Sequence, residues 1–328
     1  MLNDLLFAFN AVAPIIFTVA IGYFLKRIGL VNDELAKAAN RMVFRVFLPV
    51  LLFVNILGIE NIGDIELDYA LYAAVATVIV FLIAIPAVML VTKKSERRGA
   101  LLQATFRSNY AFVGIPLATA LCGEYGAAVA TLMSIVSVPL FNALAVVALS
   151  IFSDNGKISV KKILLGIIKN PLIIGIFAGI LFVLARTYLD GIGISVDIRE
   201  VGAVWGTLKY LSSLATPLAL IMLGAQFEFS AISSLRREII FGTLAKCAVV
   251  PGIALGIAYV AFGNRFDGAE LASLIAVFAT PISISSVPMA QEMGADSTLA
   301  GQLVIFTTVS SSLTIFLSSF IFKMLGVF

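Results

Sequence analysis

The sequence predicts an all-α polytopic membrane protein with ten transmembrane helices, arranged as two inverted five-helix repeats in which helices 4 and 9 are broken. Three observations carry this prediction. Of the 328 residues, 61% are hydrophobic and only 12% are charged, and the mean hydropathy is +1.08. Apolar runs of about 20 residues, the length that crosses a bilayer core, recur along the whole chain. The connections between these runs alternate between basic and acidic.

Polar and glycine-rich junctions divide the chain into the ten predicted spans. They cover residues 5–25, 38–58, 70–92, 99–122, 127–152, 163–187, 204–226, 236–262, 270–293 and 297–325. The first run follows Asp4 rather than a basic stretch, and it is too long for the apolar region of a signal peptide, so it is retained as span 1.

Loop charge predicts the orientation of these spans. The connections after spans 1, 3, 5 and 7 carry Lys26, Arg27, Lys37, Arg41, Lys93, Lys94, Arg97, Arg98, Lys157, Lys161, Lys162, Arg236 and Arg237. The alternate connections are acidic or mixed, with Glu60, Asp64, Glu66 and Asp68 after span 2. Because basic loops stay in the cytoplasm, we expect a multi-pass protein of the cytoplasmic (inner) membrane with both termini extracytoplasmic.

An internal repeat is indicated by the order of the prolines. Four pairs recur in sequence order, namely Pro14 with Pro171, Pro49 with Pro217, Pro86 with Pro251 and Pro116 with Pro288. Each half, residues 1–152 and 153–328, therefore holds five spans, and an odd number of spans inverts the second half relative to the first.

Two stretches at matching places in the halves are predicted to be broken helices. In Arg107–Leu121, Pro116 removes a backbone donor and Gly114 loosens the same turn. The second stretch, Ala279–Ala290, contains Pro281 and Pro288. Backbone groups freed in this way must face protein, water or a ligand, and paired breaks are typical of a transporter's binding site.

Polar side chains around the breaks are the candidate binding residues. Arg107 and Lys246 lie roughly 12–15 Å, at about 1.5 Å per residue, below the cytoplasmic ends of spans 4 and 8. At that depth they either attract an anionic ligand or pair with carbonyls at helix ends. Asn109, Ser283, Ser285 and Ser286 would form a polar cage around the breaks, and Asn55 and Gln226 are weaker candidates that could instead cap helix ends. Arg45 and Lys169 are assigned to the membrane interface, where long basic side chains extend to water.

The sequence lacks the residues and motifs that other functions would require. It has no histidine, no Ser-His or Cys-His arrangement, no phosphate-binding glycine loop and no metal-ligand spacing, so neither an enzyme nor a catalytic or metal site is expected. Cys122 and Cys247 are interpreted as core residues, and no basic patch supports nucleic-acid binding. No cofactor is expected, and any coupling would have to use Na⁺ on hydroxyl and carbonyl ligands or a proton carried on the substrate.

Several segments resemble the auxin efflux carrier family of bacterial and plant transporters. They are Arg107-Ser-Asn-Tyr-Ala-Phe-Val-Gly-Ile-Pro-Leu117, Asn170-Pro-Leu172, Thr216-Pro-Leu-Ala-Leu-Ile-Met-Leu-Gly-Ala225 and the region from Ala290 to Thr308. The resemblance covers nearly the whole chain and favours the bacterial branch described as malate and malonate permeases. The chain lacks the long central loop and the Asn-Pro-Asn-Thr motif of the plant carriers.

The resemblance implies that spans 4 and 9 cross at their broken points. It also implies a scaffold of spans 1, 2, 6 and 7, which carries Pro49, Asn55, Pro217 and Gln226, and a mobile domain of spans 3–5 and 8–10. The predicted function is that of a secondary transporter for small organic anions, with an anion channel or a ligand-sensing membrane receptor as alternatives. Membrane lipid and, as a hypothesis, a second copy bound through the scaffold helices are the other expected partners.

Overall fold

A computed structural model describes residues 2–57, 67–152, 168–195, 197–263 and 265–328. All regular elements within these ranges are helical. The helices are α1 (Leu2–Arg27), α2 (Asp33–Met42), α3 (Leu48–Leu57), α4 (Leu67–Val91), α5 (Ser95–Phe106), α6 (Ile115–Ile151), α7 (Pro171–Gly191), α8 (Gly202–Ala225), α9 (Ala231–Leu244), α10 (Val250–Phe262), α11 (Gly268–Ala279), α12 (Ser286–Glu292) and α13 (Ser297–Met324). There are three single π-helical turns. Val43–Phe47 connects α2 to α3, Tyr110–Gly114 precedes α6, and Ala245–Val249 connects α9 to α10.

Seven helical stretches of the described residues are long and apolar enough to cross a membrane. They are Asp33–Leu57, Asp68–Val91, Ser95–Ile151, Pro171–Gly191, Gly202–Ala225, Ala231–Phe262 and Ser297–Met324. The prediction of an all-helical polytopic protein is confirmed at this level. Three parts of the prediction lie outside the described residues. They are the boundary between the repeats, the basic residues Lys157, Lys161 and Lys162, and the acidic residues Glu60, Asp64 and Glu66.

The stretch Ser95–Ile151 is interrupted twice. It leaves helical geometry after Phe106, and it turns sharply at Cys122 and Gly123, where Gly123 has φ +64°. A left-handed φ of this kind is natural only for glycine. The second interruption lies where the sequence predicts the junction of spans 4 and 5.

Glycines bring two pairs of helices into close contact. In the α1–α8 pair, a Cβ at Gly22 would lie 2.0 Å from the Ile221 carbonyl oxygen, and one at Gly224 would lie 1.9 Å from that of Val19. In the α3–α7 pair, a Cβ at Gly175 would lie 2.5 Å from the Pro49 carbonyl oxygen. Small residues that let backbones touch are the usual means of helix association in membranes, where burial of apolar surface gives little driving force.

A polar cluster links α2, α8 and the end of α12. Asn40 Nδ2 donates to Gln226 Oε1 and to Gln291 Oε1, each at 2.8 Å. Next to it, Glu292 forms ion pairs with Arg41 at 3.4 Å and with Arg45 at 3.2 Å. Arg45, expected to extend to the interface alone, thus has an acidic partner, although 63% of its side chain is exposed.

Charged contacts also join the first turn of α5 and the middle of α9 to the α12–α13 connection. Arg97 pairs with Glu238 at 3.0 Å and with Asp296 at 3.2 Å. The Asp296 amide donates to the Glu96 carbonyl oxygen at 2.9 Å, and the Asp296 side chain caps α13 by accepting from the Leu299 amide. These contacts hold the beginnings of α5 and α13 and the middle of α9 together.

Candidate binding site at the crossing of two broken helices

The first break lies at Arg107–Asn109, before Pro116. Helix α5 ends at Phe106, Arg107 is extended with φ −78° and ψ 131°, and Asn109 has φ −84° and ψ 55°. A π-helical turn follows, and Pro116 then lies in the first turn of α6. The expectation that Gly114 and Pro116 form the break was wrong in detail, because the non-helical residues are Arg107–Asn109. Pro116 instead follows the π-helical turn, where the Ile115 amide donates to the Tyr110 carbonyl oxygen five residues back. Gly114 instead allows contact with α11, since a Cβ there would lie 3.0 Å from that of Ala276.

The second break runs from Thr280 to Ser285. Helix α11 ends at Ala279, Thr280 is extended with φ −75° and ψ 156°, and the seven-residue helix α12 begins at Ser286. Pro281 lies within this break. Pro288 lies in the first turn of α12, where a proline interrupts no helical hydrogen bond.

The two breaks touch each other. The Asn109 amide donates to the Pro281 carbonyl oxygen at 2.8 Å, and the Ser108 hydroxyl donates to the Val277 carbonyl oxygen. Arg107 Nη2 donates to Ser285 Oγ at 2.7 Å. Each break therefore satisfies backbone groups that the other leaves without helical partners, as a membrane interior requires.

Arg107 is held at this crossing by neutral groups. Its side chain is 1% exposed. Nη1 donates to Gln103 Oε1 at 2.7 Å and approaches Met289 Sδ at 3.2 Å, and Nη2 donates to Asn142 Oδ1 at 2.8 Å as well as to Ser285. Among the described residues no carboxylate forms an ion pair with it. The guanidinium is thus oriented but its charge is not balanced.

A cavity lies beside this guanidinium. It contains about 600 Å³ of empty space, including the part open to its surroundings. One wall comes from α3, α7 and α8, and the other from both breaks and α6. Its polar lining consists of Asn55, Arg107, Ser108, Asn109, Asn142, Thr216, Ser283 and Ser285. Apolar side chains such as Leu52, Phe141 and Leu172 line much of the rest.

Asn109, which lines this cavity, has an unused side-chain donor. The residue is 2% exposed, and its Nδ2 atom has no hydrogen-bond partner within the described residues. Buried amide donors in native proteins nearly always have a partner, so an orphaned one in a cavity wall indicates a place for a ligand acceptor or an ordered water.

The predicted site residues separate into two groups. Arg107, Asn109, Asn55, Ser283 and Ser285 line the cavity. The predicted residues that do not line it are Lys246, Gly114, Pro116, Pro281, Ser286, Pro288, Pro49, Pro217 and Gln226. Lys246 is fully buried, and its ammonium donates to Ser108 Oγ at 2.5 Å and to the Phe278 carbonyl oxygen at 3.2 Å.

Gln103 and Asn142 are functional candidates that the sequence reasoning missed. Both are amides within apolar helices, and such residues in a membrane segment generally face a cavity or a partner. Gln103 precedes Arg107 by one helical turn, which was a detectable signal. Asn142 lies 35 positions away in the chain, and its pairing with Arg107 had no local signature.

The seven long apolar stretches of the described residues are those of a multi-pass membrane protein, and a cavity lined by a buried arginine lies where the two breaks cross. The family model described as "Membrane transport protein" matches residues 7–318. The chain therefore belongs to this family, the auxin efflux carrier family, whose members are transporters and not enzymes.

Two archaeal relatives align over almost the full chain. An uncharacterized transporter of Methanothermobacter thermautotrophicus is 24% identical over 321 residues, which cover 92% of this chain and 94% of the relative. An uncharacterized transporter of Methanocaldococcus jannaschii is 25% identical over 317 residues, which cover 93% of this chain and 96% of the relative.

Proposed function

We propose that this membrane transporter carries small organic anions, carboxylates above all, as a secondary carrier with its substrate site at the crossing. The observation that carries the proposal is the buried Arg107 guanidinium in a cavity wall, with neutral oxygens and a thioether as its partners. A substrate carboxylate would supply the missing negative charge. The adjacent Asn109 amide and the Ser283 and Ser285 hydroxyls provide further hydrogen-bonding groups for its oxygens.

We further propose that transport proceeds by alternating access between two groups of helices that form inverted repeats of five spans. The cavity supports this, because its two walls come from different groups: α3, α7 and α8 on one side, and α6 with the two breaks on the other. The half-helices α5 and α11, with 12 residues each, are counterparts in the two repeats. The glycine-mediated pairs α1–α8 and α3–α7 are likewise counterparts and would form the scaffold.

Uptake into proteoliposomes tests this function against its alternatives. Labelled malate and malonate are the first substrates to try, since the resemblance favours the bacterial dicarboxylate branch. A carrier gives saturable uptake, a channel gives flux that rises in proportion to concentration, and a sensor binds the acid without moving it. The confined polar lining favours a carrier over a channel. A homodimer through the scaffold helices remains a separate hypothesis, tested by the mass of the purified protein in detergent.

Replacing Asn109 by alanine should lower uptake of the transported acid about tenfold or more while leaving the amount of folded protein unchanged. A hydrogen bond to a charged group contributes about 1.5–3 kcal/mol, and the side-chain amide has no protein partner among the described residues to lose. The matched control is Thr119→Ala in α6, because this exposed residue bonds only to its own helix at Ile115. Wild-type uptake by Asn109→Ala would remove this amide from the site.

Cysteine labelling should place both chain ends outside the cell. In a background with Cys122→Ala and Cys247→Ala, a cysteine added before Met1 or after Phe328 should react with an impermeant maleimide on intact cells. Lys93→Cys, in the basic connection between α4 and α5, should react only after permeabilisation. The reverse pattern would invert the topology.

A further inference from the structure

The Lys246 ammonium caps the end of a half-helix rather than lining the substrate cavity. Lys246 belongs to the π-helical turn between α9 and α10 and is 0% exposed. Its Nζ atom contacts two oxygens, Ser108 Oγ at 2.5 Å and the Phe278 carbonyl at 3.2 Å. One of these oxygens comes from each broken helix, so the ammonium links the two breaks.

The geometry of the second break explains why the carbonyl oxygens of Val277 and Phe278 have no helical partner. In a continuous helix the Val277 carbonyl would accept from residue 281, but Pro281 has no amide hydrogen. The Phe278 carbonyl would accept from Ile282, whose amide instead donates to Thr307 Oγ1 at 3.2 Å. The Ser108 hydroxyl takes the first of these carbonyls and Lys246 takes the second.

Such a group of oxygens has the chemistry of a monovalent cation site. Carbonyls at the C-terminal end of a half-helix, together with a hydroxyl, are the hard neutral ligands that coordinate Na⁺ in transporters with broken helices. The negative end of the helix dipole adds to the attraction. Within the described residues no carboxylate forms an ion pair with Lys246, so this charge is held by neutral oxygens, as a small metal cation would be.

We propose that Lys246 is a tethered cation that occupies the place of a free monovalent ion, so that the crossing assembles without Na⁺. The ammonium neutralises the end of α11 and joins it to Ser108 of the first break. A protein whose own side chain supplies this positive charge does not need to bind a cation from solution. The inference also predicts that substrate movement does not require a sodium gradient. This consequence for uptake rests on the proposed function.

The test uses thermal unfolding of the purified full-length protein in detergent, without substrate. The variants are Lys246→Ala, which opens space for a cation and water, and Lys246→Met, a matched control that removes the charge but keeps most of the side-chain volume. Each is measured in choline chloride, NaCl and methylammonium chloride at one ionic strength. Binding of an ion to the folded state alone raises the Tm in a saturable way.

We expect the wild-type Tm to be equal in choline and Na⁺. Lys246→Ala should unfold at a lower temperature in choline and recover a few degrees in Na⁺ or methylammonium, whereas Lys246→Met should be lowered and not recover. If Lys246→Ala cannot be purified in choline, the yield of folded protein in each salt becomes the readout.

Two results would overturn the proposal: a saturable rise of the wild-type Tm in Na⁺, or a Lys246→Ala variant that no small cation rescues beyond Lys246→Met. Uptake provides a separate arm, in which wild-type activity should persist when Na⁺ is replaced by choline. If no carboxylate is transported while the Tm results are as expected, the proposed function fails and the tethered cation stands.

Discussion

Arg107→Gln is expected to lower the affinity for a dicarboxylate by about 30-fold or more and to weaken the preference for dianions over monoanions. Removing one partner of a buried, hydrogen-bonded charge pair costs about 2–5 kcal/mol, and each 1.4 kcal/mol is a factor of ten. Glutamine keeps an amide donor and much of the side-chain volume while removing the charge, but it is too short to replace the Nη2 bonds to Asn142 and Ser285. The measurement is competition uptake with matched mono- and dicarboxylates.

Arg107→Lys is the control for charge alone. It should keep the preference for anions while losing affinity, because an ammonium cannot reproduce the fork with which the guanidinium binds Gln103, Asn142 and Ser285. Lys246→Gln should change the preference much less, since Lys246 does not line the cavity. If Arg107→Gln discriminates among acids as the wild type does, or if neutral solutes compete equally, Arg107 is only a structural link between the breaks.

Gly224→Ala should cause a large loss of folded protein, with a destabilisation at or above about 3 kcal/mol. The added Cβ would lie 1.9 Å from the Val19 carbonyl oxygen, which is backbone and cannot move aside, so α1 and α8 would have to separate. Overpacking usually costs about 1–3 kcal/mol even where side chains can adjust. Thermal unfolding in detergent and the monodisperse fraction after purification measure the effect.

Gly206→Ala is the control on the same helix. A Cβ there meets nothing within 4 Å, and alanine favours a helix over glycine by up to about 1 kcal/mol, so this variant should be as stable as the wild type or slightly more stable. Equal stability of Gly224→Ala and Gly206→Ala would show that the α1–α8 contact tolerates separation.

The location of the breaks could be predicted better than their exact geometry. Arg107–Leu121 and Ala279–Ala290 stand out because polar residues and prolines interrupt apolar runs, and both contain a break in the structure. The first break is made by Arg107, Ser108 and Asn109 through contacts with Pro281, Val277 and Ser285 of the other break. Contacts between residues so far apart leave no local pattern, so the nearest proline was taken as the cause.

The role of Lys246 could be narrowed to two alternatives but not decided from the sequence. Depth in the membrane shows that a lysine needs a partner, and it does not show whether that partner is a ligand or a helix end. The choice depends on the free Phe278 carbonyl, which exists only because the Ile282 amide bonds to Thr307 on α13. Asn142 was missed for the same reason, since its partner Arg107 is brought close only by the fold.

Under the proposed function, the two positive charges at the crossing would also determine the electrical work of a transport cycle. Arg107 and Lys246 have neutral hydrogen-bond partners, so an empty site would carry positive charge through the membrane field if it moved. Each elementary charge that crosses a potential of 100 mV corresponds to about 2.3 kcal/mol. A bound dianion would contact Arg107 and not Lys246, but its two negative charges would offset both, so the loaded site would move with little electrical work. The return of an empty site would be voltage-dependent, which favours exchange of one acid for another over net flow.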